Sequence, residues 1–393
     1  MNELHAILDV WREQQSSSRD AVLATVVHVR GSAYRRPGAR MLILSDGRRV
    51  GSVSGGCLES EIVRRAQWLT ERGVPVVRAY DTTSSNDGVW EFGLGCNGVV
   101  QILLERADAT SAAELLGFLS AHRESGQPAT VATVIRTDHT SPVRVGDRLL
   151  LGDTWKGIGA LVGSSIEDDV RAHASEVLRT STNRLVHLGG DEVFIEWIGP
   201  PLSLVVFGAG DDAMPVATMA KQLGWCVTIA DGRPAYAARE RFPTADRVVA
   251  MAAGEPLRGI DIHPGTAVVL MTHNYPLDAR LLPLIVARCP WYLGLLGPRS
   301  RAEALFADLA LEVPRSVHAP VGLDLGGDIP QAVALSIVAE IQAAANRRPG
   351  GKLTLRGETI HPPAIEVGAR ALHGENEPAH QTGCLVRSFS ELP

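Results

Sequence analysis

Apolar and polar positions change rhythm at Pro200-Pro201. Upstream, short β-rich runs alternate with turns. Leu4, Ile7, Leu8 and Trp11 recur at i, i+3, i+4 and i+7, which predicts an amphipathic surface helix at the N-terminus. AVLATVVHV from Ala21 reads as a strand. MLILSDGRRVGSV reads as a hairpin turning at Asp46-Gly47. GGCLESEIVRRAQWLTERG opens a helix with Gly73 as its C-cap, PVVRAYD and VVQILLE are strands, and 111–126 is a helix. A second hairpin over 129–152, a helix from Glu167 to Thr180 and two strands within 185–198 complete this half.

A double proline neither continues a helix nor sits in a central strand, so it marks the boundary. Beyond it strands and helices alternate. Strands are expected at 204–207, 226–230, 247–251, 267–271 and 291–296, and helices at 213–223, near 235–241, and at 277–288, 300–310 and 330–347. HAPVGLDLGG is expected to be a loop. The fold class is α/β: an N-terminal mixed α+β domain over 1–199, then a Rossmann-like doubly wound parallel sheet over 202–348. Residues 349–393 are rich in Gly, Pro and His without periodicity and read as a mobile tail, with KLTLRG as a short docked segment.

The second half contains the most informative stretch, SLVVFGAGDDAMPVATMAKQLGWCVTIAD. A β-branched run meets Gly208-Ala209-Gly210, a helix follows, and a second strand ends in Asp231. Gly208 suits a sharp turn, Gly210 close approach of backbone to a pyrophosphate, and Asp231 a ribose hydroxyl about 20 residues on. The other reading is a Rossmann-shaped scaffold that binds no nucleotide. Asp211 and Asp212 put negative charge where a phosphate would sit, and Arg233 beside Asp231 blurs any preference between NAD and NADP.

Composition narrows the classes. The chain has 393 residues, 45% hydrophobic and 21% charged, which suits two globular domains. A net charge of −6 argues against a nucleic-acid binder, and no apolar run is long enough to span a membrane. Without a signal peptide, and with five cysteines, an odd number, a reducing cytoplasmic setting is expected. Cys226 and Cys289 read as core thiols and Cys384 lies in the polar tail. No pair has CxxC spacing, so zinc has no support.

Several motifs could carry chemistry. In SVSGGCLES, Gly55 and Gly56 free the backbone and Cys57 stands at a helix start, where open amides would stabilise a thiolate or cradle an anion. In GLGCNG, glycines frame Cys96. The alternative for both cysteines is packing under loops. YRRPGAR gathers Arg35, Arg36 and Arg40 on a Pro-Gly turn, either a phosphate site or a solvated basic turn. His273, in MTHNYPLD, falls at a strand's carboxyl end, where open α/β sheets bind ligands. Arg299 and Arg301 in GLLGPRSR are expected to start the helix after the 291–296 strand, and LDLGGD, residues 323–328, to close over the same crevice.

These segments together resemble the XdhC/CoxI family of xanthine dehydrogenase accessory proteins. The likeness rests on GSAYRRPGARMLIL, SGGCLES, GLGCNGVVQILLE, LVVFGAGDDA with VTIAD, MTHNYPLD, YLGLLGPRSR and GLDLGGDIPQAVALSIVAEI. It implies a cytoplasmic, homodimeric factor that binds the molybdenum cofactor (molybdopterin), assists its sulfuration by a cysteine desulfurase and inserts it into a molybdenum hydroxylase client. On that reading Cys57 and Cys96 hold the metal or relay sulfur, and Arg35, Arg36 and Arg40 hold the molybdopterin phosphate. One departure is Asp211, where the family commonly carries a His after the GAG triplet. The competing reading is an NAD(P)-dependent oxidoreductase with His273 as acid–base. The hydroxylase itself is disfavoured, since cysteine-rich iron–sulfur patterns are missing.

Overall fold

The computed structural model describes residues 2–15, 20–56, 58–81, 98–138, 140–152, 155–357, 360, 365–368 and 386–387. They form two compact units, one of Glu3–Pro200 with His361–Asn376 and one of Pro201–Ile360 with Met1–Asn2 and Glu377–Pro393.

The first unit carries two sheets. Strands β1 (Ala21–Gly31), β2 (Arg40–Leu44), β3 (Arg49–Gly51), β4 (Val76–Asp81) and β5 (Gly98–Arg106) form an antiparallel sheet in the order β3-β2-β1-β5-β4. Alternation along β1 sends Val22, Ala24 and Val26 beneath helix α2 (Glu59–Leu69), and Leu23 towards α1 (Asn2–Gln15) and α3 (Thr110–Ser125). Ile62 of α2 is fully buried, which contributes about 1.5–3 kcal/mol to docking that helix. Strands β6 (Ala129–Arg136), β7 (Arg148–Gly152), β8 (Trp155–Ile158), β9 (Arg184–Leu188) and β10 (Asp191–Ile198) form the second sheet, ordered β9-β10-β6-β7-β8 and covered by α4 (Glu167–Thr180). Val27, Leu103, Ile135, Leu185 and Phe194 pack together from strands of both sheets. Two buried ion pairs also link them: Arg148 to Glu105, at 2.9 and 2.5 Å, and Arg40 to Glu196.

The second unit is the doubly wound fold. Strands β11 (Ser203–Phe207), β12 (Cys226–Asp231), β13 (Arg247–Ala250), β14 (Thr266–Leu270), β15 (Tyr292–Leu295) and β17 (Val317–His318) are all parallel, in the order β13-β12-β11-β14-β15-β17. The two-residue β16 (Val313–Pro314) lies outside that sheet. Leu204 and Val206 face α5 (Ala213–Gln222) and α8 (Pro330–Ala345), while Val205 and Phe207 face α6 (Tyr275–Val286) and α7 (Arg299–Asp308). Both faces of β11 are buried, which explains its unbroken apolar run. Strand order reverses between β11 and β14, which opens a crevice at their carboxyl ends.

Four expectations need correction. The helix near 235–241 is one 3₁₀ turn, Arg239–Arg241, bracketed in sequence by Pro234 and Pro243. HAPVGLDLGG begins with His318, the last residue of β17. Cys226 is exposed, because it is the first residue of β12 at the sheet's amino edge. Cys289 is disulfide-bonded and sits in a turn at φ +48°, so it is not a buried thiol. The C-terminal segment supplies β18 (Ile365–Gly368), parallel to β9, and β19 (Val386–Arg387), antiparallel to β16. Within KLTLRG, Leu353–Leu355 make a 3₁₀ turn with Leu355 83% exposed. Among the described residues no helix is long and apolar enough to cross a membrane.

Candidate functional site

The described residues of the SVSGGCLES segment are wound around a carboxylate. Glu59, the first residue of α2, is 1% exposed and turns back over the chain that precedes it. Its Oε1 accepts the Ser52 hydroxyl at 2.7 Å, the Val53 amide at 3.2 Å and the Ser54 amide at 2.9 Å. Its Oε2 accepts the Gly56 amide at 2.9 Å and the Ser54 hydroxyl. The Ser54 oxygen in turn accepts the Leu58 amide at 3.0 Å. Burial alone would raise the Glu59 pKa. The Ser54 and Ser52 hydroxyls and the Ser54 amide outweigh it and hold the pKa at about 2, so the group is ionised at neutral pH. Cys57 lies outside the described residues, between Gly56 and Leu58, whose amides both belong to this network.

Neighbouring segments close on the same turn. Tyr34, 70% exposed, packs on Gly55, where an added Cβ would meet its ring at 3.0 Å. The Pro-Gly turn behind it is stitched to β1, with the Gly38 amide donating to Val26 O at 2.7 Å and the Val26 amide to Ala39 O at 2.9 Å. At the head of β5, a Cβ on Gly98 would sit 2.4 Å from Ser32 O, so the backbones of β5 and the 30–32 segment touch. Cys96 also lies outside the described residues, two positions before Gly98. The described flanks of both cysteines thus converge on residues 32–34.

The three arginines of YRRPGAR do not form one open cluster. Arg40 is 7% exposed and its guanidinium is bound to Glu196, with Nη1 also donating to Gly38 O at 2.9 Å. It is an internal strut, out of reach of a phosphate. Arg35 pairs with Glu3 of α1, and Arg36 is half-buried.

In the second unit, Gly208 has φ +109°, and a Cβ there would lie 2.4 Å from Met271 O, so a side chain is excluded twice over. Gly210 is crowded by the Asp212 side chain. Asp231 is 3% exposed and already engaged: Oδ2 accepts the Ala209 amide at 2.8 Å, and Arg233 grips both oxygens. Burial raises its pKa, but Arg233 and the Ala209 amide outweigh this and lower it. A carboxylate occupied in this way closes the glycine loop and offers nothing to a ribose. Arg241 pairs with the exposed Asp211, and Tyr236 is flanked by the Arg233 and Arg241 guanidiniums at 3.8 and 5.0 Å. His273 stands at the carboxyl end of β14 at φ +55°, with Nε2 2.7 Å from Asp212 Oδ2 and its side chain 64% exposed. The structure therefore brings His273, Gly208 and Gly210 to one crevice. Beside it, Arg301 is held 2.6 Å from the buried Asp278.

Sequence reasoning missed Glu59, and it named Asp212 without pairing it with His273. An acidic residue at a helix start is ordinary. The available signal was two hydroxyls, Ser52 and Ser54, and the Gly55-Gly56 pair immediately upstream of Glu59. Among the described residues no three His, Cys, Asp or Glu side chains gather as a metal site.

Comparison with known proteins places the chain. It matches the XdhC and CoxI family over residues 14–81 and 122–189 and the XdhC Rossmann domain over 204–341. It is 32% identical over 342 residues to a Bacillus subtilis protein described as a probable subunit of xanthine dehydrogenase, covering 87% of this chain and 97% of that protein. The chain belongs to the XdhC/CoxI family. The E. coli molybdenum cofactor insertion chaperone PaoD is 25% identical over 335 residues, 84% of this chain and 85% of PaoD. A Bacillus halodurans protein described as a xanthine dehydrogenase has a crystal structure with TM-score 0.73 at 27% identity, covering 89% of this chain and 98% of that one. In this XdhC/CoxI chain the two matches take in the Glu59 turn, the arginine turn, the glycine loop and His273, while Cys96 falls outside both.

Proposed function

We propose that the protein is an accessory factor that binds the molybdenum cofactor as cargo and inserts it into a xanthine dehydrogenase-type molybdenum hydroxylase. The observation that carries this reading is the set of amides flanking Cys57, those of Ser54, Gly56 and Leu58, held by a buried carboxylate and its serine partner in a chain related to an insertion chaperone. A thiolate at Cys57 is a soft metal ligand and a carrier for sulfane sulfur. Cys96 is the second thiol. Acceptance of sulfur from a cysteine desulfurase, homodimer formation and residence in the cytoplasm complete the proposal. The dehydrogenase names of two relatives fit a protein named for the enzyme it serves.

The Rossmann unit acts as a scaffold in this reading, with His273 held against Asp212 at its crevice. The nicotinamide alternative has little to stand on, because Asp231 is already bound by Ala209 and Arg233. The test is anaerobic molybdenum cofactor binding by wild type, Cys57→Ala and Cys96→Ala, read as bound molybdenum and as activation of an apo-hydroxylase. Loss in either variant supports the reading. Unchanged binding and activation in both remove the thiols from the mechanism. A parallel NADH titration should show no saturable binding.

A further inference from the structure

We propose that Glu59 is the positioning residue of the cysteine turn, its carboxylate serving as a built-in anion around which residues 52–56 and 58, the described flanks of Cys57, are wound before any cargo arrives. The proposal deepens the functional reading above and depends on it only for the turn's purpose.

The geometry separates this role from ordinary helix capping. An acid in the first turn of a helix normally sits in solvent and contributes about 0.3–1 kcal/mol through the helix dipole. Glu59 is instead 1% exposed and accepts five hydrogen bonds from residues that precede it. Among the described residues no arginine, lysine or histidine forms an ion pair with it, so amide and hydroxyl dipoles alone stabilise the charge. The arrangement occupies the amides of Val53, Ser54 and Gly56 directly, and that of Leu58 through Ser54.

Two consequences follow. The backbone donors expected to cradle a cargo anion are already filled, so an anionic part of the cargo must be held elsewhere. The turn also gains a fixed shape without a ligand, which lowers the entropy lost when cargo is bound.

Chemical rescue tests this in the full-length protein without cofactor. Glu59→Ala vacates the nest, and formate is a carboxylate small enough to refill it. The readouts are amide exchange over 52–58 and the rate of Cys57 alkylation by iodoacetamide. With charge-assisted hydrogen bonds lost, exchange over 52–58 should rise at least about tenfold in Glu59→Ala, and formate should reverse most of that rise. Alkylation should move away from the wild-type rate and return with formate, while formate leaves wild type unchanged. Exchange equal to wild type, or a rise that formate does not reverse, overturns the proposal. If Glu59→Ala does not fold, Glu59→Gln decides by the same exchange measurement: faster exchange over 52–58 at retained global fold supports the role, and wild-type exchange overturns it. Cofactor loading is measured separately. Rescue by formate in a protein that takes no cofactor would keep Glu59's role and sink the chaperone reading.

Discussion

His273 Nε2 lies 2.7 Å from Asp212 Oδ2, which joins the end of β14 to the start of α5 across the switch point of the sheet. The histidine holds a left-handed backbone, φ +55°, that costs a non-glycine residue energy. Neither the strain nor a single hydrogen bond to a largely exposed histidine favours the folded state much. His273→Gly should therefore leave unfolding free energy within about 1 kcal/mol of wild type in urea titration. If the crevice contact takes part in cargo transfer, the same variant should lose hydroxylase activation. Full activation would reduce the pair to a surface contact.

Arg40 offers the opposite case. Its partner Glu196 is equally buried, with side-chain exposures of 6% and 8%. Arg40→Met strands a carboxylate between the sheets and should cost about 3–5 kcal/mol in denaturant unfolding. Replacing both, Arg40→Met with Glu196→Leu, should recover much of that loss. A single variant as stable as wild type would contradict the strut.

Legibility in the sequence followed burial and length. β11, α5 and β12 were readable because strand, glycine turn and helix are each local and the whole unit is continuous. The α-helices of both units were readable, while the helix expected near 235–241 proved a single 3₁₀ turn. β17 was not, since two residues paired to β15 carry no periodicity of their own. β18 was hidden in a segment rich in Gly and Pro, and becomes a strand only because β9 offers an open edge. Arg40 looked like part of a basic turn, yet it begins β2, every residue of which is buried. Glu59 lies inside a legible motif, but its role depends on how the preceding loop curls back on it, which no local pattern reveals.

Glu59 also sets a pH dependence. Its pKa falls from 4.5 in a free chain to about 2 in the fold. A depressed carboxylate stabilises the fold fully above the free-chain value and loses that contribution as pH falls towards the folded value. The shift corresponds to about 3 kcal/mol, and Glu59→Gln should remove it. Unfolding curves between pH 7 and 2 should show the wild-type advantage over Glu59→Gln shrinking below pH 4.5. A constant difference across that range would contradict an ionised Glu59.

Gly208 tests the loop at the second unit's crevice. An added methyl group would lie 2.4 Å from Met271 O, and φ +109° strains any L side chain. Gly208→Ala should cost at least about 1–3 kcal/mol in urea unfolding. Stability equal to wild type would mean that β11 and β14 do not approach so closely at their ends.

The most direct measurement of the central claim is transfer itself. Protein loaded anaerobically with molybdenum cofactor is separated from free cofactor and mixed with a cofactor-free molybdenum hydroxylase, and substrate turnover is followed. The expected result is activation faster than with an equal amount of free cofactor, lost in Cys57→Ala. A protein that emerges without molybdenum, or activates no better than free cofactor, would contradict the account.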